Sequence, residues 1–156
     1  NGDFHGFLLR DGEFTSLDVP GSRETNGWKT NNRGQVLGGF GPAAGGVELF
    51  LRSNGELTTF ALPGGRALSE DNGGINQHGD IVGKYCDASP CFIGPSGHGF
   101  ALIDDNLTTI DIPGAIGTAA FGINARREVV GGYFDTRGAL HGYLLRLETR
   151  GGPGGQ

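Results

Sequence analysis

The sequence contains several copies of one unit, and this internal repeat constrains the fold more than any other feature. A shift of 93 residues superimposes His5-Gly6-Phe7 on His98-Gly99-Phe100 and continues without a gap for about 36 positions. Asp18-Val19-Pro20-Gly21 then falls on Asp111-Ile112-Pro113-Gly114. We therefore define copy one as residues 5–46 and copy three as residues 98–140.

A further copy lies between these two, and another begins near the C-terminus. Copy two, residues 47–97, carries Val47-Glu48 in place of the His-Gly pair. Copy four is partial, covers residues 141–148, and starts at His141-Gly142-Tyr143. We predict a single domain over residues 1–149, followed by a Gly-rich tail at 150–156.

Within each copy, apolar residues alternate with a period of two, which indicates β-strands, and no apolar stripe of helical spacing exceeds one turn. The first two strands of copy one are predicted to meet across Asp11-Gly12, a dipeptide that favours the type I′ hairpin turn. Ser53-Asn54-Gly55 and Asp104-Asp105-Asn106 occupy the same place in copies two and three. A second hairpin is predicted to turn at an Asn in each copy, because an Asn side chain bonds the backbone of a turn. These residues are Asn31, Asn76 and Asn124.

Four short strands in each copy of about 40 to 50 residues predict an all-β fold of tandem four-stranded units, arranged like the blades of a β-propeller. A β-trefoil-like threefold closure is the alternative. Propellers use about four to eight blades. Since three copies are too few, we expect a homo-oligomer or a fragment of a longer repeat array.

Composition excludes several classes of protein. The 32 Gly and 7 Pro are typical of disordered chains, but here the glycines recur in register with the copies, and 36% hydrophobic residues can form a modest core. A formal net charge of -5 with singly scattered basic residues argues against binding to nucleic acid. No apolar run reaches about 18 residues, so no membrane span is expected.

Two further observations concern processing and compartment. The chain has no Met, even at position 1, so we expect a processed product or an excised fragment. Cys86 and Cys91 are spaced to close a local disulfide, which requires an oxidising compartment. Two free thiols in a reducing compartment are the alternative.

The repeated motifs resemble a known family. His-Gly-Phe-Leu-Leu-x-x-Gly-x-Phe-Thr-x-x-Asp-x-Pro-Gly, followed by Ile-Asn-x-x-Gly-x-Val-Val-Gly-x-Tyr, is similar to the HAF family of probable extracellular repeats of bacteria. The resemblance covers residues 5–146 and departs from the family pattern at Val47-Glu48. It implies an exported protein, extracellular or periplasmic, with a repeat architecture, and it brings no established catalytic residue, cofactor or substrate.

Histidines and aspartates recur at equivalent positions. The pairing of His with a turn Asp is similar in kind to the structural hydrogen-bond network of WD-type blades, and we interpret these residues as structural. Three converging imidazoles that bind Zn²⁺ are the alternative. Because copy two has lost its His, the structural role is favoured, and neither a metal nor another cofactor is expected. The residues concerned are His5, His98, His141, Asp18 and Asp111.

Aromatic residues near the variable exit loops are the candidate binding residues, because rings beside polar loops commonly contact sugar faces. They are Trp28, Tyr85, Tyr133 and Phe134. Trp28 is the foremost of them, since Gly73 replaces it in copy two.

The sequence therefore predicts a binding or scaffolding module, with a glycan or a cell-surface protein as partner. One alternative is a secreted polysaccharide hydrolase or lyase that uses Asp18, Asp111 or a His as acid or base. Another is a self-assembling surface array or fibre. No known catalytic motif is present, so a non-catalytic role is favoured and an enzyme is left open.

Overall fold

The chain is all-β, as predicted, in the ranges that the computed structural model describes: residues 4–43, 45–65, 73–87 and 96–148. No helix in these ranges is long and apolar enough to cross a membrane. A short 3-10 turn lies at Pro63–Gly65. The strands are β1 (Phe7–Arg10), β2 (Glu13–Ser16), β3 (Ser22–Thr30), β4 (Val36–Pro42), β5 (Glu48–Ser53), β6 (Glu56–Phe60), β7 (Gly73–Ile75), β8 (Ile81–Cys86), β9 (Gly97–Ile103), β10 (Asn106–Ile110), β11 (Gly117–Ile123), β12 (Glu128–Phe134) and β13 (Leu140–Arg146).

These strands form four antiparallel sheets in chain order. Sheet 1 contains β1 and β2, sheet 2 contains β3 to β6, sheet 3 contains β7 to β10, and sheet 4 contains β11 to β13. Each sheet keeps the sequence order of its strands, so every connection within a sheet joins neighbouring antiparallel strands. The described residues show no closed ring of sheets.

The predicted hairpin turns are confirmed. Asp11 and Gly12 have φ angles of 52° and 84°, both in the left-handed region that a type I′ turn requires. In copy three the two central residues are Asp104 and Asp105, with φ angles of 50° and 60°. The short polar side chain of Asp tolerates this conformation better than most residues do.

The sheets are offset from the sequence copies by one hairpin. Sheet 2 combines the second hairpin of copy one with the first hairpin of copy two, and sheet 3 combines copies two and three in the same way. The repeat period alone does not predict this offset, because it does not show which hairpins share hydrogen bonds. Each interior sheet therefore joins two copies.

A hydrophobic core fills the space between each pair of consecutive sheets. Leu17, Val36 and Phe50 belong to the core of sheets 1 and 2. Leu37, Ile81 and Phe100 belong to the core of sheets 2 and 3. The third core, between sheets 3 and 4, includes Val82, Ala101, Ile110, Ala120 and Val129. Sheets 2 and 3 are thus covered on both faces, and adjacent β4 residues Val36 and Leu37 point to opposite cores, as a strand requires.

Candidate functional site

The side chains of Tyr85 and His98 stack at one end of sheet 3. The two residues lie directly opposite each other on β8 and β9, with ring centroids 5.2 Å apart and an interplanar angle of 26°. Tyr85 is buried in the core of sheets 2 and 3, and its hydroxyl hydrogen-bonds the Thr109 hydroxyl at 2.9 Å. The tyrosine therefore fixes the plane of the imidazole.

Two carboxylates flank the imidazole of His98. Its Nδ1 lies 3.0 Å from Asp111 Oδ1, and its Nε2 lies 3.6 Å from Asp87 Oδ2. The His98 side chain is 26% exposed, and those of Asp87 and Asp111 are 60% and 54% exposed. We call Tyr85, Asp87, His98 and Asp111 the Tyr–His–Asp cluster; it presents carboxylate oxygens and an imidazole to solvent.

The same position in sheet 4 carries an incomplete version of this cluster. His141 stacks on Tyr133, with centroids 5.1 Å apart, and its Nε2 lies 3.1 Å from Asp135 Oδ2. Hydrogen bonds from the Ala139 backbone N–H and from His141 lower the pKa of the Asp135 carboxyl. The position that would match Asp111 falls in the Gly-rich tail, which contains no Asp.

Sheet 1 contains a His–Asp pair equivalent to that of His98 and Asp111. His5 Nδ1 lies 2.7 Å from Asp18 Oδ1, with the same sequence separation of 13 residues as His98 and Asp111. The hydroxyl of Ser16 also donates to Asp18, and this bond, followed by the bond with His5, lowers the pKa of the Asp18 carboxyl. His and Asp thus form a pair in copies one and three.

Copy two departs from this pattern in a way that the strand register explains. Glu48 of β5 lies opposite Phe40 of β4, the position that His98 occupies opposite Tyr85. The prediction that Val47-Glu48 replaces the His-Gly pair is therefore wrong by one residue, since the strand register matches Glu48-Leu49 with that pair. Copy two therefore has no imidazole at this position. Its neighbour Leu49 is buried in the core of sheets 2 and 3.

Three equivalent asparagines connect the second hairpins of consecutive copies. Asn31 Nδ2 donates to the Asn76 carbonyl at 2.8 Å, and Asn76 Nδ2 donates to the Asn124 carbonyl at 3.1 Å. Each side-chain oxygen also accepts two backbone N–H groups of its own turn. We call this chain of bonds the asparagine ladder.

Sequence reasoning predicted the turn role of these asparagines and missed the ladder. The available signal was that each Asn is followed four residues later by a residue that can accept a hydrogen bond. These acceptors are Gln35 Oε1, Asp80 Oδ2 and Glu128 Oε2.

Sequence reasoning also missed an ion pair between sheets 3 and 4. Arg127 donates from Nε to Asp80 Oδ2 at 2.9 Å and from Nη2 to Asp80 Oδ1 at 3.1 Å, and its Nη2 also reaches Asp104. Asp80 is buried, and Arg127 has a φ of 58° where the other copies have Gly34 and Gly79. The left-handed backbone is unfavourable for Arg, and the bidentate pair offsets that cost.

Trp28 packs against its own sheet, and Phe134 is half-buried. Trp28 is the extra residue of a β-bulge in β3, and its indole packs so closely over Gly39 that a Cβ there would lie 2.2 Å from the ring. Its Nε1 is buried without a hydrogen-bond partner. Phe134, at the end of β12, is half-buried. A ligand contact at either ring stays a prediction.

In copy two, the side chain of a lysine takes the place of the bulged aromatic ring. Gly73 pairs directly with Gly83 without a bulge, and Lys84 stands where copies one and three have Gly39 and Gly132. Lys84 is buried, and desolvation lowers the pKa of its ammonium group. Buried lysine methylenes thus stand where the other two copies place an aromatic ring over a glycine.

Part of the predicted site lies outside the described residues. Cys86 is fully buried at the end of β8, but Cys91 and most of the exit loop that follows Asp87 are outside the described ranges. The tail at 150–156 is outside them as well. The disulfide stays a prediction.

The described residues do not form a metal site. Within these ranges, no three His, Cys, Asp or Glu side chains are grouped so as to hold a metal ion. A cavity of about 390 Å³, lined by Asp104, Asn106, Arg127 and Glu148 among others, lies beside the Arg127 ion pair rather than at the Tyr–His–Asp cluster.

Comparisons with known proteins give no assignment for this architecture. No family model, no curated protein and no solved structure matches the chain. The geometry of the cluster and of the sheets is therefore the basis for assigning a function.

Proposed function

We propose that this protein is an exported, repeat-built binding module that holds a neutral glycan at the Tyr–His–Asp cluster. One observation carries the proposal: Asp87, His98 and Asp111 converge at a solvent-facing end of sheet 3, on a tyrosine that the core holds in place. Carboxylates accept hydrogen bonds from pairs of sugar hydroxyls, and an imidazole both donates and accepts. The glycan is the class of ligand that matches this set of groups.

The charge of the site distinguishes between neutral and anionic glycans as ligands. Two carboxylates beside the imidazole, in a chain of net charge -5, disfavour anionic polysaccharides. The fixed ring of Tyr85 lowers the entropy cost of ordering the site. A neutral, polyhydroxylated chain fits these conditions.

The order of the sheets is compatible with the propeller-like arrangement that we propose. Sheets of antiparallel strands pack face to face in chain order, and the first strands β3, β7 and β11 contact one another in sequence. In such an order all histidine positions lie at the same end of their sheets, where a long glycan can reach more than one of them. A trefoil-like closure is the alternative arrangement.

The competing function is a polysaccharide hydrolase with Asp18 and Asp111 as the carboxyl pair. These residues belong to hairpins of different sheets, and each bonds its own histidine. The lowered pKa of Asp18 keeps its carboxylate ionised, which is unsuited to a general acid. We therefore place binding before catalysis.

The experiment is co-sedimentation of the purified chain with a panel of neutral and anionic polysaccharides, with detection of new reducing ends in the same samples. We expect retention on neutral polysaccharides without new reducing ends. The His98→Ala and Asp111→Asn variants should lose at least about tenfold in affinity, since each removes a charged or polar contact.

Asp18→Asn is the matched control: it breaks the equivalent pair in sheet 1 and leaves the cluster of sheet 3 intact, so it should lose less affinity than Asp111→Asn even where a long glycan reaches both sheets. Equal loss of retention in Asp18→Asn and Asp111→Asn would contradict this site. Release of reducing ends by the wild-type chain would support the hydrolase instead.

A second candidate function, self-assembly into an array, is favoured by a separate observation. Phe7 of sheet 1 and Val130 of sheet 4 are exposed, whereas the residues at the equivalent positions of sheets 2 and 3 are buried; these are Phe50 and Phe100 for Phe7, and Leu37 and Val82 for Val130. Exposed apolar sheet faces and free strand edges promote association.

A further inference from the structure

A pocket lies at the end of sheet 2 where β4 leads into its exit loop. Its volume is about 330 Å³, and it shares no residue with the Tyr–His–Asp cluster. The residues that line it include Phe4, Arg23 and Glu24, and Gly45 and Gly46 of the exit loop. We call it the Arg23 pocket. Its aromatic and charged residues are exposed, so a ligand can reach them from solvent.

The strand β3 sets the residues of this pocket in place. The register of β3 on β4 shifts just before Glu24, so Arg23 is the extra residue of a β-bulge, a feature that re-aims a side chain. Glu24 lies opposite Gly41, where a Cβ would be 3.1 Å from Glu24 Cγ. The Thr25 N–H donates to the Phe4 carbonyl at 2.9 Å. All three pocket residues are therefore attached to backbone that hydrogen bonds hold in register.

Comparison with copy three shows that the fold does not require these side chains. The equivalent residues of copy three carry neither a ring nor a charge; they are Gly97, Ile116 and Gly117, for Phe4, Arg23 and Glu24 in that order. The strands pair at this point in copy three as well, since Gly117 lies opposite Phe134. The ring and the two charges of copy one are thus additions to a backbone that forms without them.

The Arg23 pocket and the Tyr–His–Asp cluster lie at the same end of adjacent sheets. The asparagine ladder joins the turns that precede β4 and β8, since Asn31 donates to the Asn76 carbonyl. Phe40 of β4 and Tyr85 of β8 follow at the same separation from these asparagines, and β4 ends at Pro42, which lines the pocket. Sheets 2 and 3 share a core, and packed sheets lie about 10 Å apart. A glycan of several sugar units is long enough to reach both sites.

We propose that the Arg23 pocket binds a second unit of the neutral glycan held by the Tyr–His–Asp cluster, so that one glycan chain lies across the exit-loop ends of sheets 2 and 3. The inference rests on the proposed function and extends it to a second site. A pocket of about 330 Å³ is at the small end of the range for ligand sites, about 300 to 1,000 Å³, which suits a single sugar unit.

The chemistry of the pocket matches that of a neutral sugar. The ring of Phe4 is 71% exposed and offers an apolar surface to a sugar face. The guanidinium of Arg23 donates hydrogen bonds to hydroxyl oxygens, and the carboxylate of Glu24 accepts them from hydroxyl groups. Within the described ranges, neither charge is engaged in an ion pair or a side-chain hydrogen bond. The two charges cancel, so the pocket does not select an ionised sugar.

The test is isothermal titration calorimetry of the full chain with neutral oligosaccharides of two and of six units, from the cello-, laminari-, manno-, xylo- and maltooligosaccharide series. Wild-type chain should bind the hexasaccharide of at least one series about tenfold more tightly than its disaccharide, because the longer chain reaches both sites. Phe4→Ala and Arg23→Ala should each lower the affinity for that hexasaccharide about tenfold, to the level of the disaccharide. His98→Ala should lower the affinity for both oligosaccharides.

A third variant fills the pocket with a pair that the fold already contains. Glu24→Gly combined with Gly41→Phe gives β3 and β4 the cross-strand pair of Gly117 and Phe134 in copy three. This variant should lose hexasaccharide affinity as Arg23→Ala does. Far-ultraviolet circular dichroism and thermal unfolding check that each variant is folded.

Arg33→Ala is the matched control for the loss of a positive charge. Arg33 is exposed and lies in the turn beside Asn31, at the opposite end of sheet 2. Arg33→Ala should bind the hexasaccharide as wild type does. An equal loss in Arg33→Ala and Arg23→Ala would overturn the inference, because the effect would then come from the charge of the whole chain.

The outcomes separate this inference from the proposed function. Unchanged hexasaccharide affinity in the Phe4, Arg23 and pocket-filling variants overturns the second site and leaves the cluster standing. Hexasaccharide binding that needs Arg23 and not His98 overturns the cluster as a glycan site, and with it the shared chain. A wild-type chain that binds no oligosaccharide of any series overturns both.

Discussion

The residue four positions after the turn Asn of each second hairpin determines whether arginines form ion pairs there. Gln35, Asp80 and Glu128 all accept a hydrogen bond from the Asn four residues before them. Only the charged members recruit arginines: Arg127 pairs with Asp80, and Arg146 donates to Glu128 at 2.6 Å. The acceptor role was readable from the repeat, whereas the partners Arg127 and Arg146 were not, because Arg127 comes from another turn than Asp80 and Arg146 from another strand than Glu128.

Glu128 should make stability depend on pH. Hydrogen bonds from Asn124, Arg146 and Arg126 lower the pKa of its carboxyl from 4.5 to about 2. Because the folded-state pKa is below the unfolded value, its contribution to stability is present above pH 4.5 and is lost as the pH falls towards 2. We expect Glu128→Gln to be less stable than wild type near neutral pH and equal to it near pH 2, as measured by urea unfolding.

The comparison of the two proteins isolates this group, since Asp18 and Asp135 titrate in both. A constant difference in unfolding midpoint from pH 7 to pH 2 would show that the carboxylate charge is not what Glu128 contributes.

At the scale of elements, the hairpins were predictable and their pairing was not. Asp11-Gly12 and Asn54-Gly55 specify type I′ turns through local backbone preferences, and both turns are present. The pairing of β4 with β5 joins two copies across the variable loop Gly41 to Gly46. No local preference encodes that contact; it follows from Phe50 packing over Gly38, which requires the three-dimensional register.

The candidate site was also only partly predictable from the sequence, because part of it depends on strand pairing. The His–Asp relationship could be proposed from the repeat, but the stacking of Tyr85 on His98 depends on strand register. Asp87 joins the cluster from an exit loop that follows no repeat pattern.

The buried asparagine of the ladder should contribute more to the free energy of unfolding than the exposed one. Asn76 is buried and makes hydrogen bonds with His78, Asp80 and Asn124. Asn76→Ala should lower the free energy of unfolding by about 3 kcal/mol, because it leaves buried backbone groups without partners. Asn124→Ala, at an exposed position, should cost about 1 kcal/mol.

Chemical denaturation of both variants measures this difference. Equal losses would mean that the turns, and not the links between sheets, account for the effect of these asparagines.

At the scale of the whole molecule, stability should follow the number of covered faces. Sheets 2 and 3 each lie between two cores, whereas sheets 1 and 4 are each covered on one face. In stacked repeats each unit is stabilised mainly by its neighbours, so the terminal units open at lower free energy.

Native-state hydrogen exchange followed by mass spectrometry should therefore find the slowest amides in β8 and β9. Amides of β1 and β13 should exchange faster, at a free energy below that of global unfolding. Equal protection of β1 and β9 would contradict a stack stabilised by its neighbours.

The one-hairpin offset between copies and sheets has a consequence for how the gene can change length. When a whole copy is duplicated or deleted, the new junction joins a second hairpin to a first hairpin, which is the pairing that every interior sheet already has. Such an event changes the number of interior sheets and leaves the pairing within each of them unchanged. Unequal recombination between copies therefore creates no junction that differs from those already present in sheets 2 and 3.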